Sequence, residues 1–314
     1  MASSALFRRA LPSGARFSEW RAADGWPLRR FDLPAAGTPR GAILFQGGRG
    51  DAIEKYLELI AHWHEAGWSV ASVDWRGQGG SGRLSSDRHV GHIDTFDSYI
   101  SDFKSFYADW TVSTIEPRVL MGHSMGGHLV LRALVEGLAR PDAAVLIAPM
   151  LGLHSPLGAR WGERLAALME RLGRPERAAW KANEIPGATA TRQALLTHDA
   201  DRYADELWWQ SAKPELLLGP PSWQWVHEAF VSTRAVRTDS RLATLAVPLL
   251  MLVAEADRLV DAKAALKIAG RLPDCQVVRF GAESAHEILR EADPVRDRAI
   301  AAIDAFLDAR APRG

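Results

Sequence analysis

Gly122-His123-Ser124-Met125-Gly126 is the stretch of this chain that decides its fold. It reads Gly-x-Ser-x-Gly, follows the apolar residues 119–121 and precedes a helix-like run over residues 127–135. A serine on a sharp turn between a strand and a helix is the context that a nucleophile elbow requires. The two flanking glycines remove Cβ atoms that would collide with the tight backbone, and the helix directs its N–H groups at the serine. The context therefore predicts a reactive serine at Ser124 and not a chance match in a loop.

A serine hydroxyl needs a base, and the base needs an acid that orients it. On a strand–turn–helix elbow these groups follow in the chain order Ser, Asp or Glu, then His. Asp257 is the acid with the best position, because it comes just after the apolar run 247–254, and open α/β sheets carry reactive groups at such strand ends. Two alternatives stay open: Glu255 also lies at the strand end, and Asp261 is expected to cap the next helix.

His286 is the only histidine that follows Asp257 in the chain. It comes after a second strand-like run at 275–280, so a third strand end presents a catalytic residue type in the expected order. The other histidines lack the spacing of metal ligands. His62 and His64, for example, lie two positions apart on a helix and face different ways. The sequence predicts neither a metal site nor an organic cofactor.

Five segments carry a family resemblance: residues 41–50 (GAILFQGGRG), 74–82 (DWRGQGGSG), 122–127 (GHSMGG), 256–260 (ADRLV) and 286–289 (HEIL). In these segments, which occur in family order, the chain resembles the α/β-hydrolases. Within that fold it is similar to the monoacylglycerol lipase and lysophospholipase group of serine hydrolases.

The resemblance implies a role for several residues. It makes Ser124 the nucleophile, Asp257 the acid and His286 the base. It also implies that the backbone N–H groups of Gly48 and Met125 hold the oxyanion. One departure is visible, since residues 46–47 read Gln-Gly where members of the family commonly have His-Gly.

Alternating strand-like and helix-like segments predict a mostly parallel sheet flanked by helices. The strands are expected near residues 16–22, 28–33, 41–45, 68–74, 118–121, 143–148, 247–254 and 275–280, and the helices near 51–66, 96–110 and 295–309. The alternation stops between residues 151 and 246, where helical stretches and turn prolines replace buried strands. We therefore expect an α/β-hydrolase core of residues 1–150 and 247–314, with residues 151–246 inserted as a helical cap.

The expected cap contains six of the twelve tryptophans of the chain. They are able to line an apolar tunnel for an acyl chain or to form the core of a small helical subdomain. Trp223 and Trp225 lie in a segment that resembles a cap helix of the lysophospholipase group, and we expect them to contact substrate.

The amino-acid composition limits which binding partners and which cellular compartment we expect for this chain. The 314 residues include 38 basic and 38 acidic side chains, so bulk charge favours neither nucleic acid nor an anionic membrane. A single cysteine rules out an internal disulfide and fits a reducing compartment. The first ten residues lack the apolar run of a secretory signal. We expect a cytoplasmic enzyme with a small amphiphilic ester as substrate and with transient contact to a membrane surface.

Residues 77–82 also match Gly-x-Gly-x-x-Gly, a dinucleotide fingerprint, but a polar loop-like stretch follows them instead of a helix. The expected reaction is therefore hydrolysis of a monoacyl lipid ester through an acyl-enzyme. The alternatives are a general carboxylesterase, an acyltransferase with the same three residues, and a non-catalytic binding protein with this fold.

Overall fold

A computed structural model of the chain describes residues 8–154, 158–173, 175–180 and 189–312. An eight-stranded sheet forms its centre, with the strands in the order β1-β2-β4-β3-β5-β6-β7-β8. The strands are β1 (Arg16–Arg21), β2 (Pro27–Leu33), β3 (Gly41–Gln46), β4 (Trp68–Val73), β5 (Arg118–His123), β6 (Ala143–Ile147), β7 (Leu249–Ala254) and β8 (Cys275–Phe280). β2 pairs antiparallel with β1 and β4, and every other pairing is parallel.

The α-helices are α1 (Leu57–Glu65), α2 (Phe96–Val112), α3 (Met125–Val135), α4 (Ala159–Leu172), α5 (Thr189–Leu196), α6 (Ala200–Ala212), α7 (Trp223–Thr238), α8 (Ala262–Ala269) and α9 (Asp293–Arg310). Strands β3, β6 and β7 are buried along their whole length, because helices cover both faces of the sheet. One apolar core packs α2, α3 and α8 on one face, and a second packs α1 and α9 on the other. The predicted mostly parallel α/β architecture is confirmed.

The predicted strands agree with the observed ones to within two residues at each end. The first helix differs more. A helix was expected from Asp51, but a 3-10 turn at Ile53–Tyr56 comes first and the α-helix begins only at Leu57. The reason is that the Asp51 side chain is buried and binds groups outside the helix.

The segment between β6 and β7 contributes four of these helices and no strand of the sheet within the part of the chain that the structure describes. Its helix α4 packs on α7, and α7 in turn contacts α2 and α3 of the core. No helix among the described residues has the length and apolar character needed to cross a membrane.

Candidate active site

Ser124 lies on a strained turn between β5 and α3. Its backbone has φ 52° and ψ −117°, a conformation that L-residues rarely adopt. The flanking glycines are required by close backbone contacts. A Cβ on Gly122 would lie 2.6 Å from Gly126 backbone atoms, and one on Gly126 would lie 2.3 Å from the Gln46 carbonyl oxygen. The turn therefore presents Ser124 at the N-terminus of α3, where N–H groups have no partner inside the helix.

Asp257 and His286 form a buried pair at the ends of β7 and β8. The Nδ1 atom of His286 lies 2.6 Å from Oδ2 of Asp257. The other carboxylate oxygen accepts the backbone N–H groups of Leu259 and Val260 at 2.7 and 3.1 Å. Both carboxylate oxygens of Asp257 thus have partners, and the contact at Nδ1 orients the His286 ring.

The electrostatics of this pair follow from its burial and its charges. Burial by itself would lower the pKa of His286, but the neighbouring Asp257 carboxylate outweighs it and raises that pKa above its usual value. Burial would likewise raise the pKa of Asp257, while His286 and the two N–H donors lower it on balance. Asp257 is therefore held as a carboxylate beside an imidazole that binds a proton readily.

The alternative acids lie elsewhere. Asp261 accepts the backbone N–H groups of Lys263 and Ala264 and caps α8, as the sequence predicted. Glu255 forms an exposed ion pair with Arg279. Of the three candidate acids, the structure brings only Asp257 to His286 within the described residues.

Ser124 and His286 line the same cavity, which has a volume of about 230 Å³. No hydrogen bond joins the Ser124 hydroxyl to His286 among the described residues, and catalytic contacts of this kind are often loose before substrate binds. The apolar part of the lining consists of Met150, Leu153, Trp180, Leu196, Trp225, Leu259 and Val260. Cationic side chains also border the cavity: Arg49, Lys55, Arg192 and Arg258. Nowhere in the described ranges do three His, Cys, Asp or Glu side chains form a group that could bind a metal ion.

The two tryptophans singled out from the sequence have different positions. Trp225 lines the cavity, and its ring lies 5.5 Å from the Arg49 guanidinium. Trp223 is instead partly buried against the core and is not part of the cavity lining. The expected substrate contact of Trp223 stays a prediction. The cavity lining favours Trp225, because residues two apart on a helix point in nearly opposite directions.

The two expected oxyanion donors also differ. Met125 is the first residue of α3, so its N–H has no acceptor within the helix. Gly48 lies beside Ser124, since a Cβ on Gly48 would lie 3.0 Å from the Ser124 Cβ. The Gly48 N–H, however, donates to Oδ2 of Asp51 at 2.6 Å. As an oxyanion donor Gly48 stays a prediction, and it requires that this N–H turn from Asp51 to the substrate.

Asp51 was missed by the sequence reasoning, and it organises the wall of the cavity. Besides Gly48, its carboxylate accepts the Tyr56 hydroxyl and the Lys55 ammonium, the latter at 2.6 Å. His123 lies 2.8 Å from the Tyr56 hydroxyl, and its ring centre is 4.8 Å from that of His286. Burial opposes the charge of Asp51, but Lys55 and His123 hold its pKa well below the usual value. The only sequence signal was its place three residues after Gly48.

Gln46 is the residue that differs from the pattern of the resembled family. It occupies the position where the resembled family commonly has histidine, and it is fully buried. Neither amide atom of its side chain has a hydrogen-bond partner among the described residues. The side chain therefore does not take part in the hydrogen bonds that hold Gly48, and Asp51 makes that contact instead.

A buried charge cluster connects this wall to the β6–β7 segment and to the loop after β8. Its members are Asp51, Lys55, Glu206, Glu287 and Arg290. Lys55 forms ion pairs with three carboxylates, those of Asp51, Glu206 and Glu287. Arg290 pairs with Glu206 at 2.9 Å and also with Glu287. Because Glu206 lies on α6 and Glu287 follows His286, the cluster holds α6 against the loop that carries His286.

Two hydrogen bonds to backbone carbonyls connect the same two parts. The Glu287 N–H donates to the Leu196 carbonyl at 2.8 Å, and the Thr197 hydroxyl donates to the Arg290 carbonyl at 2.7 Å. The position of His286 therefore depends on α5 and on the residues after it, as well as on β8.

Comparison with known proteins gives one family match. Residues 37–293 match the model of a hydrolase family named Hydrolase_4 and described as "Serine aminopeptidase, S33". The matched range includes Ser124, Asp257 and His286, and it covers most of the chain.

Two relatives are similar to the chain over most of their length. The chain is 29% identical to lysophospholipase L2 of Escherichia coli K12, with 93% of this chain and 87% of that protein covered. It is 25% identical to the monoglyceride lipase of Rattus norvegicus, with 87% and 83% covered. A solved structure of a soluble variant of the Saccharomyces cerevisiae monoglyceride lipase has a TM-score of 0.75 at 16% identity, covering 95% of this chain and 97% of that one. That structural likeness shows the shared fold.

Proposed function

Since the chain belongs to the serine hydrolase family Hydrolase_4 (serine aminopeptidase, S33), we propose that it hydrolyses the ester of a monoacyl lipid, a lysophospholipid or a monoacylglycerol. The observation that carries the proposal is that His286, which lies 2.6 Å from Asp257, lines the same cavity as Ser124. The names of the relatives support the lipid class, since they include a lysophospholipase and a monoglyceride lipase.

In the proposed mechanism His286 removes the hydroxyl proton of Ser124 as the oxygen attacks the ester carbonyl. The bond to the alcohol then breaks, and His286 returns the proton to the leaving alcohol. A water molecule attacks the acyl-enzyme in the same way and releases the fatty acid. The Met125 N–H stabilises the oxyanion. The Gly48 N–H adds a second hydrogen bond once it has broken its bond to Asp51.

The lining of the cavity supports an amphiphilic substrate. Its apolar side chains suit an acyl chain, and Trp225 supplies the largest buried ring among them. Arg258 is exposed at the cavity and has no ion pair within the described ranges, so it is available to an anionic head group. In this proposal residues 151–246 act as a cap over the strand ends, with Trp225 on its inner side.

The proposal is tested by a hydrolysis panel with one acyl chain on several leaving groups. It contains a lysophosphatidylglycerol, a monoacylglycerol, a p-nitrophenyl ester and, because of the family description, an aminoacyl p-nitroanilide. We expect hydrolysis of the esters, and a Ser124→Ala variant that loses about 10⁴-fold or more in kcat/KM while keeping the wild-type fold. The matched control is Ser113→Ala, which removes the hydroxyl of an exposed serine at the C-terminal end of α2.

A fluorophosphonate probe adds a covalent readout. We expect the probe to label the peptide that contains Ser124 in the wild type. We expect no labelling of this peptide in Ser124→Ala. Cleavage of the anilide alone would replace the proposed ester substrate by a peptide, and wild-type ester hydrolysis by Ser124→Ala would refute the assigned nucleophile.

A further inference from the structure

Helix α4 carries an unusual stripe of exposed apolar side chains. Trp161, Leu165, Leu168 and Leu172 are 61%, 43%, 49% and 76% exposed. Their spacing of four, three and four residues places them on one side of the helix. Exposed large apolar residues that occur singly are ordinary, but a continuous stripe indicates an interaction surface.

The opposite side of α4 is already occupied. Ala166 is fully buried there, and α4 packs on α7. Both glutamates of the described part of α4 are engaged on that side: Glu163 pairs with Arg234 of α7 at 2.9 Å, and Glu170 pairs with His227 of α7. The packing therefore fixes which side faces outward and holds the negative charges of the helix away from the stripe.

Cationic side chains border the stripe. Arg164 and Arg171 lie seven residues apart, so both project from the same edge of the helix, and both are exposed. The Arg164 guanidinium lies 5.1 Å from the ring of Trp161. The outward side of α4 therefore combines apolar bulk with positive charge, whereas the carboxylates are turned inward. This asymmetry exists although the chain as a whole has no net charge.

We propose that this side of α4 docks on the surface of an anionic phospholipid bilayer, with Trp161 and the three leucines inserted and Arg164 and Arg171 at the phosphate level. A helix with an apolar side and arginines at its border lies in the interface plane of such a membrane. The surface potential of anionic lipids attracts each arginine near the headgroups. The inference rests on the proposed function, because a monoacyl lipid resides in such surfaces. Because α4 packs on α7, which carries Trp225 into the cavity, docking would hold the proposed cap at the lipid source.

Vesicle flotation with the full chain tests the proposal. The vesicles contain phosphatidylglycerol and phosphatidylcholine in equal parts, or phosphatidylcholine alone. We expect the wild type to bind the anionic vesicles, and to bind them less in high salt. The double variant Leu168→Ser/Leu172→Ser should bind about tenfold or more weakly, since two inserted side chains are lost. The matched control is Val112→Ser/Ile115→Ser, which removes two exposed apolar side chains at the end of α2.

A second variant separates charge from apolar insertion. Arg164→Gln/Arg171→Gln should weaken binding to anionic vesicles by about fivefold for each arginine and leave the phosphatidylcholine result unchanged. Since all these residues are exposed, the variants are expected to fold, which a thermal melt checks.

Three results would overturn the docking surface. The wild type could fail to bind vesicles, the Leu168→Ser/Leu172→Ser variant (the stripe variant) could bind as tightly as the wild type, or the control variant could lose as much binding as the stripe variant. A wild-type dimer in light scattering that the stripe variant converts to monomer, without vesicle binding, would assign the stripe to a second copy instead. Hydrolysis of a water-soluble short-chain ester is measured in parallel. Retained ester hydrolysis without vesicle binding refutes only the docking surface, whereas vesicle binding without hydrolysis of any lipid ester refutes the proposed function.

Discussion

Asp257 uses its two carboxylate oxygens for different partners, His286 on one and the N–H groups of Leu259 and Val260 on the other. An amide at this position has only one acceptor oxygen, so Asp257→Asn must leave one set of donors unmatched. We expect a loss of about 10⁴-fold in kcat/KM, the size seen when a triad acid is replaced by its amide. The comparison variant is Asp261→Asn, which should lower the free energy of unfolding by about 1 kcal/mol or less and leave turnover intact, because Asp261 caps α8. Ester hydrolysis and urea unfolding measure the two effects, and the reverse ranking would transfer the acid role to Asp261.

The pH profile gives a second check at this scale. His286 acts as a base only when it is unprotonated, and its pKa lies above the ordinary 6.5 because the attraction of Asp257 outweighs burial. The value of kcat/KM for a neutral ester should therefore rise with pH, and the midpoint of this rise should lie above pH 6.5. In Asp257→Asn the residual activity should show this rise at lower pH, since the attracting charge is gone. An unchanged midpoint in that variant would contradict the coupling of the two groups.

The sequence predicts those site residues whose choice depends only on their order in the chain and on their position after a strand. Asp257 and His286 follow two neighbouring parallel strands, whose carboxyl ends meet at one edge of the sheet. Asp51 could not be predicted in this way. Its role depends in part on His123, which lies 72 residues away along the chain and approaches Asp51 only in the folded structure. A pattern of residue types in one segment carries no information on such a contact.

At the scale of elements, α7 makes Trp225 and Trp223 a matched pair of substitutions. If Trp225 contacts the acyl chain, kcat/KM of the wild type should increase about fourfold for each added methylene until the cavity is full, since each buried methylene contributes about 0.8 kcal/mol. Trp225→Ala should reduce that increase and leave acetate ester hydrolysis nearly unchanged. Trp223→Ala should lower the thermal midpoint and affect all esters alike, because Trp223 packs on the core. A p-nitrophenyl ester series from acetate to decanoate measures both, and equal slopes in the two variants would remove Trp225 from the acyl site.

Helix boundaries show where local patterns fail. The terminal helix α9 was predicted to within two residues because its apolar periodicity faces one core. The start of α1 was placed several residues too early. The predicted helix extended back to Asp51, but that carboxylate is buried and accepts the Gly48 N–H, and a 3-10 turn at Ile53–Tyr56 precedes the α-helix. Tertiary hydrogen bonds thus decided a boundary that helix propensity left open.

At the scale of the whole molecule, the alternation of strands and helices was enough to predict the fold class. It did not predict the hydrogen bond by which α3 contacts α7. His128 of α3 is fully buried, and its Nε2 lies 2.7 Å from the Ser232 hydroxyl of α7. Burial, reinforced by Arg132 and Arg237, lowers the pKa of His128 to about 3. Nothing in the sequence distinguished this histidine from those on the surface.

His128 makes stability depend on pH with a definite sign. The unfolded chain binds a proton at this residue near the ordinary pKa of 6.5, whereas the folded chain does so only near 3. The stability that this residue provides is therefore complete above about pH 6.5 and is lost progressively as the pH falls toward 3. We expect the free energy of unfolding in urea to decrease over this range, and to decrease less steeply in His128→Gln. The control is His89→Gln at an exposed site, and identical slopes for the wild type and His128→Gln would show that His128 does not cause the dependence.

The buried charge cluster has a consequence for exchanging parts among related hydrolases. Glu206 comes from the segment between β6 and β7, whereas Lys55 and Arg290, its partners, come from the core. A chimera that received this segment from a protein without an acid at that position would remove one carboxylate partner from both Lys55 and Arg290, which would keep Glu287 as a shared partner. Removing one member of a buried ion network is costly. Transplanted segments that bring the matching carboxylate should therefore destabilise this core least, so substrate preference and core charge are best inherited together.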